Sequence, residues 1–315
     1  MKNKIMLLPV LLVTTGIFIQ CMKTSPRVEN RPQEKKTDIY DLPLVNIVDI
    51  KGSGNTVIMD GTRIPLIGSL SDKGASQVKE TGFCWSTKEN PTIRDSSIKQ
   101  KYTDIVWTCT ITELKPETIY YIKAFAINDH GIGYSSETWV HSGYKYGTDH
   151  EGGYVYYNDG AGGGLVLGKE NLGKVPWIEG GKTQETLNGK TKSVGGITVG
   201  RDNTAAIIAQ SGHKRSAALL CEQYVYQGYS DWFLPADCDF RIIAQTLYPI
   251  NAGNITGSAF WSSTEKGKYW ASYMTFKNVA LSGSGKEPHL QETSKYSKGL
   301  IDTRPVREFR PARMP

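Results

Sequence analysis

The sequence predicts two folded modules in series, an all-β sandwich and then an α+β domain, behind an N-terminal leader. Three observations predict this. Short apolar runs separated by turn residues fill residues 44–143, the pattern of a sandwich. From residue 144 onward, strand patterns mix with patterns of helical period. The composition, 10% aromatic with 33 glycines in 315 residues, favours short strands and tight turns over long helices. The chain is long enough to bury two cores, and with 39% hydrophobic and 22% charged residues most of it is expected to fold.

Residues 1–20 read as a lipoprotein signal peptide. Lys2 and Lys4 form a basic start, and Ile5 to Ile19 form an apolar run too short to span a bilayer comfortably. The run ends at Cys21. The stretch resembles a bacterial lipobox, with Phe18 where Leu is usual and Gln20 where a small residue is usual. That resemblance implies lipidation of Cys21 with palmitate-type chains. It places the protein in the cell envelope, as an outer-membrane lipoprotein exposed at the cell surface. Each buried methylene of such an anchor contributes roughly 0.8 kcal/mol. No later segment has the length and apolarity to cross a membrane. Residues 21–43 are polar, with Pro26, Pro32 and a Glu-Lys-Lys run, and read as a flexible tether. The net charge is +6, and Lys2 and Lys4 belong to the leader. With no concentrated basic stripe, the charge is too mild to argue for nucleic acid, and none is expected as a partner.

Beyond Cys21 four cysteines remain: Cys84, Cys109, Cys221 and Cys238. Pairing of Cys84 with Cys109, or of Cys221 with Cys238, suits an oxidising compartment, and buried free thiols are the alternative. None has Cys-x-x-Cys spacing, and no His lies close enough to suggest zinc.

In residues 44–143 the expected strands are Val45–Ile50, Thr56–Met59, Gly82–Ser86, Trp107–Ile111, Ile119–Ile127 and Glu137–His141. Turn residues separate them, including Asp60-Gly61, Glu89-Asn90-Pro91 and Asn128-Asp129-His130-Gly131. Tyr120, Ile122, Ala124 and Ala126 alternate onto one face, which suits the inner side of a sandwich sheet. The run Leu114-Lys115-Pro116-Glu117-Thr118-Ile119-Tyr120-Tyr121, with Ala124-Phe125-Ala126 and Asn128, resembles the fibronectin type III family. Gly82-Phe83-Cys84-Trp85-Ser86-Thr87 and Asn90-Pro91-Thr92 match its variety common in secreted bacterial proteins. The resemblance implies a spacer module, with Tyr120 as the tyrosine corner whose hydroxyl bonds nearby backbone.

Residues 144–315 form the second module. Gly152 to Tyr157 reads as a strand, and Asp159-Gly160 with a glycine-rich turn leads into Leu165-Val166-Leu167, a hairpin with a wide loop. Helices are expected over Asn203–Ala209, Ser216–Tyr226 and Asp237–Leu247. Ala217, Leu220, Cys221 and Tyr224 share a face in the second. Phe240, Ile243, Ala244 and Leu247 point inward in the third, with Asp237 as its cap. Strands follow at Ala259–Ser262, Tyr269–Phe276, Ala280–Leu281 and Pro305–Phe309, and residues 282–299 form a long loop or hairpin. Trp232, Trp261 and Trp270 are read as core residues, each with an indole N–H that needs a partner. Arg304 and Arg307 are expected to pair with acids such as Asp231 or Glu265.

Five blocks in fixed order carry a second resemblance. They are Gly152 to Tyr156, Asn203-Thr204-Ala205-Ala206-Ile207, Gly228 to Pro235, Trp261-Ser262-Ser263-Thr264 and Arg304-Pro305-Val306-Arg307. Together they resemble the C-terminal domain family of the Legionella collagen-like adhesin. The resemblance implies a C-type-lectin-like fold on surface proteins, with carbohydrate or glycosaminoglycan as ligand. This chain departs from the family at Ala236, where a Ser or Thr cap is common, and in the long 282–299 segment.

Catalysis finds little support. The five histidines are scattered, and there is no Gly-x-Ser-x-Gly elbow, His-Glu-x-x-His or P-loop. The Gly160–Gly164 run does not lead into a helix, as a phosphate loop would. Glu287-Pro288-His289 is the nearest approach to a lectin calcium turn, and His replaces the required oxygen. Neither a metal nor a cofactor is expected. The reading is therefore a non-catalytic surface lipoprotein that recognises a glycan or a surface protein through its second module. A structural subunit of a surface fibre is the alternative. Candidate contacts are Trp177, Tyr229, Trp261, Glu265, Tyr269, Lys286, Lys295 and Lys298.

Overall fold

A computed structural model describes residues 38–49, 59–180, 199–276, 288–297, 299 and 301–311. The expectations for Cys21, Thr56–Met59 up to residue 58, Ala280–Leu281, Lys286 and Lys298 lie outside these residues. No helix among the described residues is long and apolar enough to cross a membrane.

The first module is a two-sheet β-sandwich. One sheet holds β1 (Leu44–Asp49), β2 (Ile64–Asp72) and β5 (Val106–Ile111), in the order β1-β2-β5. The other holds β3 (Glu80–Ser86), β4 (Ser96–Lys101), β6 (Ile119–Asn128), β7 (Gly131–Tyr134) and β8 (Thr138–His141). Its order is β4-β3-β6-β7, with β8 also on β6. Tyr120, Ile122, Ala124 and Ala126 of β6 are buried against Val45, Ile64, Leu66 and Trp107 across the core, as their alternation predicts. The Tyr120 hydroxyl accepts the Lys115 N–H at 3.0 Å, which closes the tyrosine corner. Cys84 and Cys109 are unpaired.

Three strands of the first module were not expected: β2, β4 and β7. β4 (Ser-Ser-Ile-Lys-Gln-Lys) is an edge strand almost without apolar residues, so its sequence carries no alternation. β2 contains Pro65 and Gly68, which read as strand breakers. The tether also ends sooner than expected. Residues 39–41 form a short 3-10 turn, and the Asp41 carbonyl accepts the Asn128 amide at 2.7 Å, so residues 38–43 join the sandwich.

The second module is built from antiparallel sheets and three helices. Its first sheet has the order β17-β11-β10-β9, from β9 (Asp149–His150), β10 (Gly153–Asn158), β11 (Gly164–Gly168) and β17 (Val306–Phe309). β12 (Ile178–Gly180) pairs with β13 (His213–Ser216). β14 (Ala259–Glu265), β15 (Trp270–Thr275) and β16 (His289–Ser294) form a third sheet. The helices are α1 (Val199–Ile208), α2 (Ala217–Glu222) and α3 (Asp237–Thr246). Part of the 282–299 segment is thus strand β16, paired with β15 from Trp270 to Thr275.

Two helix expectations are corrected. α2 ends at Glu222, and Tyr224 lies beyond it, because the chain turns toward the Gln227-Gly228 bend. Asp237 does not cap α3. Its carboxylate is taken by the Ser262 and Ser272 hydroxyls and by Lys266. Asp239 instead accepts the Ala236 N–H at 2.7 Å, the reach-back half of a capping box.

The motif blocks knit around Phe233-Leu234-Pro235. Phe233 and Val306 exchange two backbone bonds of 2.9 Å. The Thr204 hydroxyl accepts the Leu234 N–H at 2.9 Å, and the Ser263 N–H reaches the Pro235 carbonyl at 2.7 Å. Asn203 bonds Ser263 at 3.1 Å. Arg304 is buried and satisfies itself on the Gly168 and Gly253 carbonyls and on Asn171, not on an acid. Burial pulls its pKa down to about 10. Trp232 and Trp261 are core residues as expected, but Trp270 is 50% exposed. It opens β15 directly after the bend at Gly267–Tyr269, at the end of the sheet.

Candidate functional site

Two tight turns stand side by side on the second module. Glu151-Gly152 joins β9 to β10, with φ of 44° and 85°. Gln227-Gly228 links the bridged pair Tyr226 and Tyr229, with φ of 51° and 86°. Positive φ at both central residues marks type I′ turns, which is why glycine fills the second position of each. The turns are in contact: a Cβ on Gly152 would lie 3.2 Å from the Tyr226 ring and 3.5 Å from Trp232 and Tyr229.

Their side chains meet the end of β17 in an open cleft of about 450 Å³. Glu151 and Tyr229 come from the turns, Asp231 from the segment after the second, and Arg307, Glu308 and Arg310 from β17 and its exit. Arg201 of α1 completes the lining. The Arg307 guanidinium lies 3.9 Å from the Tyr229 ring centroid, its Nη1 is 2.7 Å from Glu151, and its Nε donates to Asp231. Burial works against the charge on Arg307, and the two carboxylates outweigh it, holding its pKa above the usual arginine value. On the other flank Glu308 receives Arg201 at 3.0 Å and Arg310 at 3.1 Å. The Arg201 guanidinium also sits 5.2 Å from the Phe233 ring centroid, which fixes its stem.

Chemically the cleft presents groups that only donate beside groups that only accept. Guanidinium has five N–H donors and no acceptor, and a carboxylate is acceptor-only. A ligand hydroxyl both donates and accepts, so either kind of group can bond it.

The expected contact residues separate into three groups. Tyr229 lines the cleft, and the expected pairing of Arg307 with Asp231 forms its floor. Trp177, Trp261, Glu265 and Lys295 converge elsewhere, in a buried network. The Trp177 Nε1–H bonds the Ser262 carbonyl and the Trp261 Nε1–H the Val175 carbonyl, each at 2.8 Å. Lys295 donates to Glu265 and to the Lys268 carbonyl, and its ammonium lies 5.0 Å from the Trp177 ring centroid. Their burial leaves these four a packing role and no face for a ligand. Tyr269 is 43% exposed but does not line the cleft.

Glu151, Arg201, Glu308 and Arg310 were not singled out from the sequence. The available signal was the charge alternation of Arg307-Glu308-Phe309-Arg310 on a terminal strand. Cys221 and Cys238 are unpaired. Burial raises the Cys221 thiol and pushes Cys238 up to about 12, so neither is a ready thiolate. Asp159 bonds the Ala161 and Gly163 N–H groups and so closes the glycine-rich loop. No group of three or more His, Cys, Asp or Glu side chains is placed to hold a metal among the described residues.

No family model matches the chain, and no curated protein does. Among solved structures, similar chains include the sixth fibronectin type III domain of human fibronectin type III domain containing protein 3. It is 16% identical, with 35% of this chain and 89% of that one covered and a TM-score of 0.20. The third fibronectin III domain of the human KIAA0343 protein is 17% identical, with 35% and 91% covered and a TM-score of 0.22. The sensor domain of the anti-sigma factor RsgI4 of Pseudobacteroides cellulosolvens is 17% identical, with 32% and 95% covered and a TM-score of 0.22.

Proposed function

We propose that the protein is a non-catalytic surface lipoprotein in which a fibronectin type III-like spacer carries a C-type-lectin-like head, and that the head recognises a glycan through the cleft around Tyr229 and Arg307. The observation that carries this reading is the cleft itself, where three guanidinium groups and three carboxylates alternate beside an aromatic ring. Sugar hydroxyls need donors and acceptors in close alternation, and that lining supplies both. The order of the five motif blocks supports the lectin-like fold. The Cys21 context supports a lipid anchor in the cell envelope.

A glycan array probed with the chain lacking residues 1–20 tests the reading. Retention of at least one neutral, acidic or sulfated glycan is expected. Asp231→Asn combined with Arg310→Gln, both at exposed side chains, is expected to weaken it tenfold or more. An array with no bound glycan, or binding indifferent to the double variant, would sink it. Labelling with a palmitate analogue tests the anchor: incorporation should vanish in Cys21→Ala.

A second reading, a subunit of a surface assembly, is favoured by one observation. Leu44 and Val48 of β1 and Ile105 and Val106 at β5 are exposed apolar residues on the three-stranded sheet. A protein partner recovered from envelope extracts that survives competing sugars would favour this alternative.

A further inference from the structure

The cleft is neutral as a whole but polarised within. Arg307 sits between two carboxylates, Glu151 at 2.7 Å and Asp231, so that end carries one excess negative charge. Glu308 sits between two guanidinium groups, Arg201 at 3.0 Å and Arg310 at 3.1 Å, so that end carries one excess positive charge. Arg307 and Glu308 are consecutive on β17 and so point to its opposite faces, yet the side chains of both ends line the one cleft.

The inner members of each end are the covered ones, and the outer members face solvent. Asp231 is 52% exposed at the negative end, and Arg310 is 74% exposed at the positive end. Arg310 spends only its Nε on Glu308. A ligand therefore meets an open carboxylate, Asp231, at one end and two open guanidinium groups, Arg201 and the more exposed Arg310, at the other. A purely anionic ligand would face Asp231, and a purely cationic one would face Arg310. A neutral sugar would leave the excess charge at each end unbalanced.

We propose that this cleft selects a zwitterionic sugar unit, one that carries both an ammonium and a carboxylate. The ammonium pairs with Asp231 and the carboxylate lies on Arg310, where a guanidinium offers paired N–H donors to both oxygens. This specificity rests on the glycan reading of the same cleft.

Four related sugars isolate the two charges. Muramic acid has a free amine and a carboxylate, N-acetylmuramic acid only the carboxylate, glucosamine only the amine, and N-acetylglucosamine neither. Titration of the chain lacking residues 1–20 with each, at low salt, should rank muramic acid at least tenfold tighter than either singly charged sugar. N-acetylglucosamine should be weakest. Arg310→Gln should bring muramic acid down to glucosamine, and Asp231→Asn should bring it down to N-acetylmuramic acid. Arg310→Lys, which keeps the charge, should retain most of the preference. Unchanged thermal midpoints would show that the variants are folded.

Equal binding of all four sugars, or tightest binding of a singly charged one, overturns the proposal. Neutral binding that the cleft variants still weaken leaves glycan recognition standing and removes only the charge selectivity. No binding of any of the four also removes the selectivity, and the glycan array then decides recognition separately.

Discussion

Asp239 holds its place at the start of α3 through two bonds, from the Ala236 N–H and from the Tyr156 hydroxyl at 3.0 Å. Burial pushes its carboxyl up to about 6, against those two bonds, which favour the charged form. The folded value lies above the ordinary one near 4, so the native state binds this proton more tightly than the unfolded chain, by roughly a hundredfold. Its contribution to stability, about 3 kcal/mol for a hundredfold difference in proton affinity, is complete below about pH 4 and is lost as pH rises through about 6. Asp239→Asn should flatten that part of a urea-unfolding pH profile, and an unchanged slope would contradict the assignment. The Glu265–Lys295 pair makes the opposite point. Both side chains are buried, so Glu265→Gln leaves an ammonium without its counter-ion and should cost about 3–5 kcal/mol in chemical denaturation. A loss under about 1 kcal/mol would show that the pair is not sealed from water. Tyr120→Phe should cost about 1 kcal/mol, because the Lys115 N–H loses its acceptor.

At the scale of elements, the paired I′ turns do most to shape the cleft. The space around Gly228 is open, yet its φ is 86°. Gly228→Ala should therefore destabilise by about 1–2 kcal/mol through backbone conformation alone. A loss within about 0.3 kcal/mol of zero would contradict the turn assignment. The same scale shows what the sequence revealed and what it hid. Alternation in Ile119–Ile127 exposed β6 and its inner face, and helical period exposed α3, because both elements bury one regular stripe. β4 escaped because an edge strand with polar residues has no stripe to show. Trp270 was misplaced because residue type predicts burial and the end of a strand does not supply it. The cleft was half legible. Tyr229, Asp231 and Arg307 belong to conspicuous blocks, whereas Glu151 and Arg201 are ordinary residues that only the pairing of β9 with β10 and the docking of α1 bring there.

At the scale of the molecule, one side chain links the two modules. The Asn158 amide donates to the Met59 carbonyl of the sandwich at 2.7 Å and to the Tyr144 carbonyl at 2.8 Å, and its oxygen accepts the Tyr144 N–H at 2.9 Å. The His141 N–H of β8 adds a bond to the Gly160 carbonyl at 2.9 Å. These bonds tie the sandwich directly to the second module. Residual dipolar couplings should fit one alignment tensor for both modules in the wild type and two in Asn158→Ala. One tensor in both proteins would show that the joint does not depend on this side chain.

The proposed sugar site is the cleft between the two I′ turns and β17. Backbone-amide shift mapping with the tightest glycan from the array tests it most directly. The largest shifts are expected at Glu151, Tyr229, Asp231 and Arg307–Arg310. Shifts centred on Tyr269 and Trp270, or on the sandwich, would contradict it.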